Sequence, residues 1–316
     1  KVVVFDEAQR AWTNSQATSF MKRKKGIENF DKSEPEFLIE VMDRHTDWCT
    51  IVCLIGGGQE INTGEAGLEE WINSLKNRFS NWEIHLSSSI LNSDSYIKSE
   101  VSKNWLIQNA FSEINLHLAV SVRSFRSEQL STFINELLEL KIEESQRLYL
   151  EIEKTYPIVI TRNLEIAKNW LRTEAKGSER TGVLISSGAR RIRSNGIDSE
   201  SSLRSNSGSD KISNWFLNNK DDVRSSYYLE TAATEFVVQG LEIDWACVAW
   251  GGNFHMGKTN WKYQNFKGTK WQNINKKIDK EYLKNTYRVL LTRARQGMVI
   301  FIPESNEHDH TRPKEY

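Results

Sequence analysis

Val2-Val3-Val4-Phe5-Asp6-Glu7-Ala8-Gln9-Arg10 is the stretch that decides how this chain folds. Four apolar residues predict a buried strand, and two carboxylates stand at its C-terminal end. In open α/β sheets ligands bind beyond the C-terminal ends of the strands, so Asp6 and Glu7 are candidates for chemistry. Asp6 offers the hard oxygen that a nucleotide's Mg²⁺ takes directly or through water. Glu7 is the residue type that positions and deprotonates a water attacking a γ-phosphate. The same letters also describe a strand ending in solvated acids, and the stretch alone leaves both readings open.

Outward from this strand, short apolar runs alternate with helical patterns. Strands are expected at residues 2–5, 50–55, 83–86, 158–160, 182–185, 223–228, 244–249 and 297–301. Several are continuous Val/Ile runs, as in sheets covered by helices on both faces. Helices are expected at 36–45, 67–78, 128–154, 164–174 and 285–295. Such alternation predicts α/β layers with mostly parallel sheets. A boundary is expected near 115–125, giving one domain over 1–115 and a second over 116–316. The second carries two insertions: a Ser/Gly/Asn/Arg-rich one near 186–213 and an aromatic and lysine-rich one at 251–284. A central strand needs neighbours on both sides, and the sequence opens on one without a Met, so we expect residues upstream of Lys1.

Composition sets outer limits. The 316 residues are 38% hydrophobic and 27% charged, enough for two buried cores. Forty-two basic residues balance forty-two acidic ones, so any nucleic-acid surface must be a local basic patch. No apolar run approaches the ~20 residues that cross a bilayer. Three cysteines cannot build a disulfide framework, and the expectation is a cytoplasmic protein with reduced thiols.

Four further stretches join the first. Ile51-Val52-Cys53-Leu54-Ile55-Gly56-Gly57-Gly58-Gln59-Glu60 runs a strand into glycines that let backbone approach a phosphate, with Gln59 placed to bond a γ-phosphate or water. Tyr287-Arg288-Val289-Leu290-Leu291-Thr292-Arg293-Ala294-Arg295 supplies guanidiniums, the groups suited to charge on a transferring phosphoryl. It also reads as a basic helix end complementing the dipole. Ser121-Val122-Arg123-Ser124-Phe125-Arg126-Ser127 and Thr234-Glu235-Phe236-Val237-Val238-Gln239-Gly240-Leu241-Glu242 complete the set.

Taken in chain order, the five resemble motifs II, III, IV, V and VI of superfamily-1 helicases, and they span nearly the whole chain. With Leu184-Ile185-Ser186-Ser187-Gly188-Ala189-Arg190-Arg191, the sequence looks most like a bacterial P-loop family whose helicase-like domain is similar to that of the longer Schlafen proteins. The resemblance implies two RecA-like domains with ATP and Mg²⁺ in the cleft between them. By motif, Asp6 would hold Mg²⁺, Glu7 would activate water and Gln59 would sense the γ-phosphate. Arg126 and Arg293 would be arginine fingers, and Gly240 with Glu242 would contact the ribose or couple the nucleotide to the nucleic-acid groove. Two departures stand out. The Gly-x-x-x-x-Gly-Lys-[Ser/Thr] loop that the family carries upstream of motif II has no counterpart there in this sequence, which leaves the first domain incomplete, and Gly57 stands where an Asp is usual.

Residues 251–284 interleave Lys258, Lys262, Lys267, Lys270 and further lysines with Phe254, Trp261, Tyr263, Phe266 and Trp271. Lysines track phosphates and aromatics stack on bases, so Lys258, Trp261, Lys262, Lys270 and Trp271 are candidate contacts to single-stranded DNA or RNA. The alternative is an exposed hairpin whose aromatics pack on their own domain. Arg190, Arg191 and Arg193 are candidate phosphate contacts. Cys49 and Cys53 flank a strand and read as core rather than as zinc ligands. The leading expectation is an ATP-dependent helicase or translocase. Its rivals are a nucleotide-gated binding module without hydrolysis and a small-molecule NTPase or kinase.

Overall fold

The computed structural model describes residues 1–56, 67–91, 97, 99–118, 125–199, 202–203 and 208–312, without the side chains of 125–127. The chain is α/β with mostly parallel sheets and divides into two compact units, Lys1–Val120 and Ser121–Tyr316.

In the first unit, β1 (Val2–Phe5) pairs in parallel with β2 (Thr50–Cys53), and β3 (Ile84–Ser87) with β4 (Ala110–Glu113). Parallel partners need crossovers. The chain supplies α1 (Asn14–Phe20) and α2 (Glu34–Asp43) before β2, α3 (Glu69–Asn77) before β3, and α4 (Ser88–Leu91) with α5 (Glu100–Asn109) before β4. Helix α2 begins where Ser33 accepts from the Glu36 amide, with Pro35 in the first turn, a start the sequence spells out. The core joins Phe5, Ile51, Cys53 and Ile84 to Ile39, Trp71, Ile72, Leu86 and Leu106. The expectation that both faces of β1 are covered is corrected: Val2 and Val4 are 58% and 62% exposed. Among the described residues nothing packs on that face, whereas Val3 and Phe5 point to the core side.

The second unit is built on a five-stranded parallel sheet of β5 (Ile158–Thr161), β6 (Thr181–Ile185), β7 (Ala232–Thr234), β8 (Ile243–Ala249) and a last strand from Ala294 to Phe301, here β12. Their spatial order is β5-β12-β8-β6-β7. Every residue of β6 and β8 is buried, which is why these runs read as continuous apolar sequence. One face packs Val183, Ile185, Trp245, Cys247 and Val299 against Ala167 and Leu171 of α8 (Leu164–Glu174). Helix α8 starts at Asn163, whose side chain accepts from the Glu165 and Ile166 amides.

Three expectations fail for local reasons. The helix expected over 128–154 is two, α6 (Phe125–Leu138) and α7 (Ile142–Ile152), packed on one another. Helix α6 ends in a Schellman motif, with Leu140 at φ 60, its amide donating to Leu137 O and the Lys141 amide to Glu136 O. Glycine is the usual signal for that stop, and Leu140 hides it. Residues 223–228, expected as a strand, form a turn and a short 3₁₀ helix, because Asp222 accepts from the Arg224 amide and guanidinium and Ser225 caps the next turn. The last helix starts earlier than the pattern implies. Between α9 (Ser209–Leu217), α10 (Glu235–Val238) and α11 (Lys277–Leu291), the second insertion folds as an antiparallel ribbon of β9 (Phe254–Met256), β10 (Trp261–Lys267) and β11 (Lys270–Asn273).

Gly297 lies at a register irregularity in β12, and a Cβ there would sit 2.7 Å from the Trp245 ring and 2.8 Å from Pro157 O. Gly297→Ala is expected to cost about 1–3 kcal/mol through overpacking against backbone that cannot yield. Denaturant unfolding of the two proteins measures it.

Candidate functional site

In the first unit the loop after β1 is held from three sides. The Ala8 amide donates to Leu54 O (2.8 Å), Trp71 Nε1 donates to Ala8 O (2.8 Å), and the Trp71 ring meets Phe5 edge-on at 5.4 Å. Asp6 is exposed and one of its oxygens accepts from the Glu7 amide (2.9 Å). Glu7 adopts φ 53, the left-handed region, which costs a non-glycine residue roughly 1–2 kcal/mol. Two other described non-glycine residues do so, Leu140 and Leu229, and each closes a helical turn. Glu7 instead stands between the end of β1 and the short 3₁₀ turn Ala8–Arg10, beside a second carboxylate.

Gln9 explains how the loop is held. It is 1% exposed, its Nε2 donates to Glu7 Oε2 at 2.5 Å, and its Oε1 accepts from the Gly56 amide at 3.1 Å. One buried amide thus fixes the second acid and ties it to the start of the glycine segment after β2. Sequence reasoning passed over Gln9; its place two residues after the acid was the available signal. Gln59 lies outside the described residues, as does the side chain of Arg126, whose backbone is in the first turn of α6.

The second unit separates its candidates between the two edges of one sheet. At the edge where strands begin, Gly240 turns the chain at φ 88 and Glu242 leads into β8. The Ile243 amide donates to Arg293 O (3.1 Å), so the structure brings Gly240, Glu242 and Arg293 together. Arg293 is 3% exposed; its Nε donates to Val289 O (3.1 Å) and its NH2 to Thr292 Oγ1 (3.2 Å), at the end of α11. That is the helix-end geometry. Nearby Tyr156 donates to Ala294 O, and burial, with the Glu242 charge added, pushes its phenol up. Arg295 pairs with Asp244 at 2.8 Å.

At the opposite edge, Ser186 and Ser187 leave β6 and Trp250 leaves β8. Glu235, 2% exposed, accepts from the Ser187 amide (2.8 Å) and hydroxyl (2.7 Å). Tyr287 donates to Asn253 Oδ1 (2.8 Å), and Asn253 Nδ2 donates to Ser186 Oγ (3.3 Å). This network was not singled out from sequence, because its members lie far apart along the chain. The ribbon's tryptophans pack on their own unit: Trp261 stacks on buried Phe254 at 4.4 Å and donates to Leu138 O. Trp271 packs on Phe266 at 4.9 Å and donates to Thr311 O. Lys258, Lys262 and Lys270 are exposed. Arg190 and Arg193 are exposed, whereas Arg191 is committed: its Nε donates to Thr311 and its NH2 to Asp309, both at 2.5 Å. Bonds from Thr311 and then Arg191 hold the Asp309 carboxyl down at about 2. Burial pushes the Cys53 and Cys247 thiols up to about 12, as suits core residues.

The family described as Schlafen group 3, DNA/RNA helicase domain, matches residues 1–304 and so spans the first unit and the second through β12. The chain belongs to that family. Among curated proteins, none matches it. A Schlafen group 3 helicase domain implies nucleotide triphosphate use and nucleic-acid binding. No helix among the described residues is long and apolar enough to cross a membrane.

Two outcomes follow for the Schlafen group 3 chain. Gln9→Leu strips partners from Glu7 and Gly56 and is expected to destabilise by about 1 kcal/mol, the low end for an unmade bond because both groups reach solvent; denaturant midpoints measure it. Asp309 has a depressed pKa, so its hold on residues 306–312 is complete above pH 3.8 and is lost as pH falls through about 2. Asp309→Asn is expected to raise hydrogen exchange in that segment at neutral pH, as acid does in the unchanged protein.

Proposed function

We propose that this chain is the motor portion of an ATP-driven helicase or translocase acting on single-stranded DNA or RNA, with ATP·Mg²⁺ held between two RecA-like domains. The observation that carries the reading is Asp6-Glu7 at the C-terminal end of β1, with Gln9 bonded at once to Glu7 and to Gly56. A strained backbone at the second of two acids is how a fold over-determines a catalytic group.

Asp6 has an exposed carboxylate with its second oxygen open, which fits Mg²⁺, an ion that keeps several waters and takes one or two protein carboxylates. When bound with nucleotide, Mg²⁺ supplies charge neutralisation at the phosphate oxygens. Glu7 uses one oxygen on Gln9 and directs the other at the attacking water, whose proton it accepts. Gln9 keeps that carboxylate from swinging to solvent and registers the glycine segment, where Gln59 senses the γ-phosphate. Arg126 and Arg293 act as arginine fingers. Arg293 must then leave its bonds to Val289 and Thr292 when the cleft closes, so its contribution is gated by domain movement. Gly240 and Glu242 meet the ribose or relay its presence toward the nucleic-acid surface.

The test uses the intact gene product. ATP turnover is expected to rise on adding single-stranded DNA or RNA. Glu7→Gln is expected to lower turnover about 10²- to 10⁴-fold, the usual share of a general base, while ATP binding measured by calorimetry persists. Unchanged turnover in that variant overturns the assignment. Tight ATP binding without turnover in the unchanged protein instead supports a nucleotide-gated module.

A further inference from the structure

The connections of the second unit diverge at one place. From β6 the chain passes outward to β7, and from its neighbour β8 it passes the other way to β12. Such a switch point opens a crevice at the C-terminal edge of a parallel sheet, where ligands bind. The two basic insertions leave from these two strand ends, the arginine loop after Ile185 and the ribbon after Ala249.

The segment 306–312, which lies outside the family match, joins them side by side. Arg191 of the loop grips Asp309 and Thr311, Arg312 NH2 donates to Ser194 Oγ (3.1 Å), Trp271 of the ribbon donates to Thr311 O (3.0 Å), and His310 Nε2 donates to Thr269 O (3.3 Å). Two basic stretches some way apart in sequence thus become neighbours.

The ribbon tip is charged in one sense only. Lys267 and Lys270 face each other across the Gly268-Thr269 turn, an arrangement that destabilises a hairpin unless an anion offsets it. Neither has an ion-pair partner among the described residues, and no Asp or Glu stands between Asp244 and Asp279. Arg193, with its side chain 70% exposed, holds Asp198 only at 3.7 Å. The indoles, by contrast, already have ring partners and have committed their N–H donors.

We propose that the loop after β6 and the ribbon after β8 form one phosphate-tracking surface that holds single-stranded nucleic acid through its backbone, with Trp261 and Trp271 as struts rather than base platforms. This rests on the helicase reading above. The recognition is electrostatic and indifferent to base sequence, as a motor stepping along any strand requires.

Fluorescence anisotropy of the intact gene product with labelled mixed-sequence DNA and RNA strands, and with an abasic phosphodiester strand, tests it across a salt series. Each lost phosphate contact lowers the slope of log K against log salt by about 0.7 on a single strand. Lys267→Gln/Lys270→Gln is expected to lower it by about 1.4 and Arg193→Gln by about 0.7, on base-bearing and abasic strands alike. Trp271→Leu, checked by thermal unfolding, is expected to bind within about twofold of the unchanged protein, since a stacked base is worth ~1–3 kcal/mol and its loss would weaken binding more. A wild-type slope in the variant that combines Lys267→Gln, Lys270→Gln and Arg193→Gln, while the unchanged protein still binds, overturns the surface and leaves the motor reading intact. A large loss in a fully folded Trp271→Leu protein overturns the strut role. Absence of strand binding by the unchanged protein overturns the surface and the motor reading together.

Discussion

The second unit depends on the burial of β8. All seven residues from Ile243 to Ala249 are buried, between β6 on one side and β12 on the other. Backbone polar groups taken that far from water must be paired, and parallel neighbours on both sides provide the pairing. Once β8 is central, its C-terminal end opens beside that of β6, and the connections on either side must part there. The position of every basic insertion follows from that constraint.

The same sheet then separates two kinds of chemistry by the length of a strand. Gly240, Glu242 and Arg293 gather where strands begin, while the arginine loop and the ribbon gather where they end. β8 spans the two edges, and at its C-terminal end lies a polar network in which Glu235 grips Ser187 and Tyr287 grips Asn253. Glu235 follows β7, and the short helix it opens leads to Gly240. One segment therefore touches both edges, a physical link between the nucleotide candidates and the proposed strand surface.

In the first unit the comparable device is smaller. Gln9 is a single buried amide with one donor and one acceptor in use, and it converts two loops into one object. Trp71 anchors that object to the core through Ala8. The strain at Glu7 is sustained because Phe5, Ala8 and Gln9 are each held independently.

What the sequence determined by itself was whatever depends on local pattern. Buried parallel strands announce themselves as continuous apolar runs, so β6, β8 and β12 were legible. The helix pattern over 164–174 was legible too, and the ordered motifs gave the family that the match over residues 1–304 shows. Local pattern misled where a side chain substituted for the usual signal, as Leu140 did for glycine and Asp222 did by drawing Arg224 into a turn. Tertiary structure alone decided the rest: that Trp261 and Trp271 turn inward, that Arg191 is committed while Arg193 stays open, and that residues 306–312 draw the loop and ribbon together. The reason is physical. An exposed and an inward-facing tryptophan are the same letter, and only a partner distant in the chain, as Leu138 is for Trp261 and Thr311 for Trp271, determines which it becomes.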